Sequence, residues 1–197
     1  TINSINVGKG TNSVAGNTVL GESALDAAVS GGDNTAIGKS ALGANTSGQQ
    51  NTVVGSLSAD ANTTGSENTV MGYGAFTNSS TGSNNTAIGR GALRNNTTAD
   101  NNTGIGYLAL DANTTGVTLT AVGANALDAN TTGGRNTAIG NNALTDCTTG
   151  QNNVAVGSNA GENITTSEKN VAVGHDAMEE NTTGKNNIAV GTRALEE

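Results

Sequence analysis

The chain has 197 residues and a formal net charge of −8, with 29 glycines, no proline or tryptophan, one phenylalanine and two tyrosines. So little bulk excludes one large globular core, and the acidic balance, with a pI near 4.4, excludes a nucleic-acid binder, whose affinity rests on cation contacts to phosphates. No apolar run approaches the roughly 18 residues of a membrane span, the opening TINSINVGKG lacks the apolar core of a signal peptide, and the single Cys147 excludes an intrachain disulfide framework.

Taken from the N-terminus, SINVG at Ser4 to Gly8 is followed 13 residues later by a related motif that starts at Asn17. From there the motif restarts at Asn34, Asn51, Asn68, Asn85, Asn102, Leu119, Asn136, Asn153, Asn170 and Asn187, each 17 residues after the last. A constant period without insertions predicts a solenoid, in which each unit buries its apolar face on its neighbours. Residues 1–16 are expected as a short lead-in coil, and 17–197 as an eleven-unit array whose last unit is truncated at RALEE.

Within a unit, the fourth place is always large and apolar (Leu20, Ile37, Val54, Met71, Ile88, Ile105, Val122, Ile139, Val156, Val173, Val190), and the second is Thr, Val or Ile. Period two with β-branched residues predicts a strand. The fifth place is Gly in every unit, and NTTG or a relative recurs at Asn62 to Gly65, Asn113 to Gly116, Asn130 to Gly133 and Asn181 to Gly184, marking turns. Each unit is therefore expected to be one coil of two short strands and two turns. A helical repeat would need about twice the length.

The third place holds Ala36, Ala87, Ala121, Ala138, Ala155, Ala172 and Ala189. Strand faces alternate, so the fourth place is expected to fill the coil and this flat Ala row to point outward as the oligomer interface. Pairs such as Ala126-Leu127 and Ala143-Leu144 add a second apolar ridge. A monomer would leave these surfaces wet, so an obligate oligomer is predicted.

The N-T/S-x-x-G strand followed by a small residue and a turn resembles the head repeats of trimeric autotransporter adhesins, the YadA-like left-handed parallel β-roll. In its 17-residue form, ALxxNTTGxxNTAIG, it is also similar to arrays in phage tail fibres and chaperone-terminated bacterial surface proteins. The resemblance covers essentially the whole chain and implies a homotrimer around a common axis, on a virion tail fibre or an extracellular bacterial surface. Departures are Leu119 in place of Asn, and Ala59 and Gly161 in place of Leu. No neck or coiled-coil motif occurs within the 197 residues, so adhesin head and fibre shaft both stay open.

No catalytic constellation, cofactor motif or metal site is expected. His175, the one histidine, stands in the variable sixth place and is expected as a solvated turn residue, and Cys147 as a tolerated replacement of Asn. GIGYLA at Gly104 to Ala109 mimics a dinucleotide fingerprint, but its glycines belong to the repeat. Acids at the tenth place (Asp111, Asp128, Glu162, Glu179, Glu196) predict a solvated, like-charged edge; a Ca²⁺ ridge is the alternative. GVTLTAVG, Gly116 to Gly123, puts Val117 and Leu119 where other units are polar, so that turn either repacks inward or presents a lateral contact at these two residues.

The function expected is that of a rigid fibre spacer and attachment surface without turnover, binding a host-surface receptor or glycan. The alternatives are an ice- or mineral-binding solenoid, suggested by Thr ladders such as Thr114-Thr115 and Thr131-Thr132, and a tailspike-like polysaccharide depolymerase, which would need two positioned carboxylates and sugar-stacking aromatics that the chain scarcely has.

Overall fold

The computed structural model describes residues 6–27 and 29–196. Twelve strands form one sheet in chain order: β1 (Asn6–Gly8), β2 (Thr18–Gly21), β3 (Thr35–Ile37), β4 (Thr52–Val54), β5 (Thr69–Met71), β6 (Thr86–Ile88), β7 (Thr103–Ile105), β8 (Thr120–Val122), β9 (Thr137–Ile139), β10 (Val154–Val156), β11 (Val171–Val173) and β12 (Ile188–Val190). From β2 onward every neighbour is parallel and offset by one unit, as in Thr137↔Val154, Ala138↔Ala155 and Ile139↔Val156. The chain is a parallel β-solenoid of 17-residue coils. Ten steps of about 4.8 Å make a shaft roughly 48 Å long.

The lead-in segment departs from the expected short coil. β1 runs antiparallel to β2, with Val7 opposite Leu20 and Gly8 opposite Val19, so this end of the rod is covered by a reversed strand. Residues 1–5 of that segment, with Ser4, lie outside the described residues, as do Ala28 and Glu197.

Each coil contains one short strand, not two, of four residues in β2 and three in β3 to β12. Its opposite wall carries places seven and nine at positive φ, for example Asn125 at 56° and Leu127 at 52°. The axial hydrogen bonds continue there: Leu127 N–H donates to the Ala143 carbonyl at 3.0 Å, and Asn142 N–H to the Ala124 carbonyl at 3.0 Å. Alternate left-handed residues reverse the chain while keeping the peptide groups along the rod. β-branched side chains tolerate that backbone poorly, and the ninth place accordingly holds Leu, Phe, Met, Ala or Gly but never Val, Ile or Thr.

The core lies between these two walls and is as thin as the composition requires. A Cβ built on Gly104, in the third place, would lie 3.3 Å from Leu93 Cγ, so the third place of one coil faces the ninth of the coil before it. Large residues on one wall leave room only for small ones on the other. Ala59, a small residue in the ninth place, has Val70 in the facing register position, and both are buried.

Side-chain amides hold the corners. Asn34 Oδ1 accepts the Asn51 N–H at 3.0 Å, while Asn34 Nδ2 donates to the Gly48 carbonyl at 2.9 Å. This satisfies buried backbone groups that the turn leaves open. The ladder reaches Leu119, whose N–H donates to Asn102 Oδ1 at 2.9 Å, and restarts between Asn136 and Asn153. Leu119 has no oxygen to pass on.

Candidate functional site

The alternation of strand faces holds, but the sides are reversed from expectation. Ala36, Ala87, Ala121, Ala138, Ala155, Ala172 and Ala189 are at most 2% exposed within the single chain. They line the coil interior and cannot form an oligomer interface. The cause is the reach of Leu in the ninth place: it crosses the narrow coil, and only Ala, Gly or Val fits against it. The Ala-Leu pairs are core as well, Ala126, Leu127, Ala143 and Leu144 all being fully buried.

Outward from the sheet points the fourth-place row instead, with Leu20, Met71, Ile139 and Val190 exposed and the members between them half-buried. The second-place row lies on the same face. It is Thr from Thr18 to Thr137 and becomes Val154, Val171 and Ile188 on the last three strands, so the apolar stripe doubles in width there. This face offers a partner one continuous outward row along the rod.

The two residues of the irregular turn separate. Leu119 is 1% exposed and joins the core, whereas Val117 is 42% exposed. The turn has folded inward at Leu119, which leaves Val117 outward beside the exposed Thr118. Between them Thr118 has φ 60° and is the one β-branched residue at positive φ among the described residues.

The NTT turns are fixed from inside. Asn62, Asn113 and Asn130 are buried, and Asn130 Nδ2 donates to Asn113 Oδ1 at 2.9 Å, so their amides are not available to a glycosyl group. Thr114 Oγ1 donates to the Thr131 carbonyl at 3.0 Å and Thr131 Oγ1 to the Thr148 carbonyl at 3.1 Å. One of the two turn Thr rows therefore spends its hydroxyls within the rod. The other, from Thr64 to Thr183, is exposed.

The tenth-place acids stack along the rod but are half-buried and not the solvated edge expected, and Thr145 separates Asp128 from Glu162. Burial, followed by the negative charge of Asp111, pushes the Asp128 carboxyl up, with Arg94 opposing. Burial and then the charges of Glu179, Asp146, Asp176 and Glu180 do the same to Glu162. Among the described residues no group of three or more His, Cys, Asp or Glu side chains is placed to hold a metal ion, which leaves the Ca²⁺ alternative without a ligand set there.

His175 is exposed in its turn, with Nδ1 2.7 Å from Asp176 Oδ2. Asp176 also accepts from Asn159 Nδ2 at 3.1 Å and lies 3.7 Å from Arg193 Nε. Cys147 is fully buried in an Asn position, its thiol pushed up to about 11 by burial. Gly104 and Gly106 flank Ile105 at the end of β7, and no helix follows. No helix among the described residues is long and apolar enough to cross a membrane. No protein-family model matches the chain, and no curated protein or solved structure matches it significantly.

Proposed function

We propose that the chain is a passive segment of a trimeric fibre, a phage tail fibre or a bacterial surface adhesin, that serves as rigid spacer and attachment surface without turnover. The observation that carries this reading is the unbroken outward apolar row from Leu20 to Val190 on a rod of constant cross-section. Fully burying a Val, Leu or Ile is worth about 1.5–3 kcal/mol, so covering this half-exposed row is worth on the order of 10 kcal/mol per chain before the cost of association. A parallel partner repeats the same row in the same register. The number three and the shared axis come from the resemblance to YadA-like heads.

Paired substitutions test it. Ile139→Glu puts a charge on the outward row and is expected to dissociate the oligomer while the circular dichroism of the chain is kept. Ala138→Glu, one residue earlier, buries an unpaired charge in the coil and is expected to destabilise the fold itself by more than about 3 kcal/mol. Light scattering and urea melts read the two effects separately. An Ile139→Glu variant that keeps the wild-type mass would remove this face as the interface.

A second reading has its own observation. Eight successive coils place Thr, from Thr18 to Thr137, beside the apolar row on one sheet face, a regular hydroxyl-and-methyl lattice of the kind an ice or mineral surface would take. It requires that face to be open in solution, so a stable monomer with thermal hysteresis would select it over the fibre.

A further inference from the structure

The variable sixth place carries Tyr73, Arg90 and Tyr107 on three successive coils. These are the chain's only two tyrosines with a cation between them, and the two residues are 56% and 46% exposed. Arg90 Nη1 donates to Tyr107 Oη at 3.3 Å, and its Cζ lies 5.6 Å from the Tyr107 ring centroid, over the ring face. This contact holds the guanidinium on the rod while one of its five N–H donors is used.

The next residue in two of these coils is Gly74 or Gly91, where neighbouring coils have Leu57 and Leu108. Leu108 Cδ2 covers the buried Gly91, 2.8 Å from where a Cβ would stand, whereas Gly74 is left open, and a notch of about 40 Å³ remains, lined by Tyr73, Gly74, Arg90, Gly91, Arg94 and Leu108. Arg94 is already matched, its Nη2 2.6 Å from Asp111 Oδ2. Arg90 forms no ion pair among the described residues. In a chain of net charge −8, the patch is thus a local positive spot between two exposed aromatic rings.

We propose that Tyr73, Arg90 and Tyr107 form a binding subsite for an acidic polysaccharide, a uronic-acid-bearing chain lying along the rod. The notch has room for one carboxylate-sized group, which a guanidinium recognises through paired N–H donors. The tyrosines stand two coils apart, about 9.6 Å, the scale on which alternate sugar rings follow one another in an extended chain, and the Tyr73 ring and the Tyr107 face turned away from Arg90 offer apolar surface to the C–H faces of those rings. A nucleic acid fits less well, because one unmatched cation on an acidic rod cannot neutralise a run of phosphates. The subsite gives the attachment surface of the proposed fibre its ligand class and rests on that reading only for its biological use.

The test is binding of the full chain to immobilised polygalacturonate, with dextran as the neutral control, alongside light scattering of every variant. Wild type is expected to retain on polygalacturonate and not on dextran. Arg90→Gln is expected to weaken binding at least tenfold, and Tyr73→Ala and Tyr107→Ala severalfold each. Lys39→Gln removes the same charge from the same place three coils away and is expected to change nothing. Equal loss in Lys39→Gln and Arg90→Gln, equal retention on dextran, or capture by a protein receptor with no retention on polygalacturonate would each overturn the subsite. A monomeric mass with intact, Arg90-dependent binding would sink the fibre and leave the subsite standing.

Discussion

Cys147 occupies a place where most coils use Asn to bridge the turn, and its thiol makes only long contacts, 3.9 Å from the Gly150 carbonyl oxygen and 3.9 Å from Asn136 Nδ2. Burial raises its pKa from 9.0 to about 11. The folded chain therefore holds the proton more tightly than the unfolded one. This contribution is fully present below pH 9 and is lost as pH rises through about 11, a loss of about 2–3 kcal/mol in all. Cys147→Asn is expected to flatten that alkaline fall, because the amide does not titrate and its Nδ2 can reach the Gly150 carbonyl as Asn130 reaches that of Gly133. Urea midpoints of both proteins at pH 8 and pH 10.5 check this; parallel declines would refute it. Cys147 as an Asn replacement was legible from register alone. The inside of the strand was not, because Ala and Ile alternate on it and either row makes a plausible core until the reach of the opposite wall is known.

At the scale of the element, a coil adjusts to its own irregularities. Gly161 stands in the ninth place, which is Leu in most coils, and Ile164 in the twelfth, which is commonly Asn. A Cβ on Gly161 would lie 2.9 Å from Ile164 Cδ1 and 3.1 Å from Leu144 Cδ2, so Ile164 has taken the space that the missing side chain leaves. Gly161→Leu alone overpacks the coil, at a cost of about 1–3 kcal/mol, and Ile164→Asn alone empties it. The double change restores the common coil, and its destabilisation is expected to fall short of the summed single effects by about 1–3 kcal/mol. A double-mutant cycle in urea measures the difference; additivity within about 0.5 kcal/mol would mean that the two positions are independent. The strand, the glycine corner and the period of this unit follow from β-branched residues at alternating places. The second wall was misread as a strand because its left-handed residues leave a negative signal only, the lack of β-branched side chains at the seventh and ninth places. The Tyr73, Arg90 and Tyr107 row was hidden for another reason: the sixth place varies from coil to coil, and only stacking brings three distant residues into line.

For the whole molecule, constant register makes the coils interchangeable. Removing Asn136 to Asn152 deletes one period and sets Asn153 directly after Arg135, so Leu119 still faces a coil that begins with Asn. In a solenoid each unit contacts only its neighbours, and the shortened chain is expected to fold cooperatively into a rod about 4.8 Å shorter with the same partners. A deletion variant that is unfolded by circular dichroism would show coils that depend on more than their neighbours. The outward row from Leu20 to Val190 survives this deletion with one member fewer, and the proposed fibre associates through that row. The mass of the wild-type particle, measured by light scattering at micromolar concentration, tests this most directly: three times the 19.3 kDa chain mass is the expected result, and a stable, cooperatively folding particle of 19.3 kDa would contradict it.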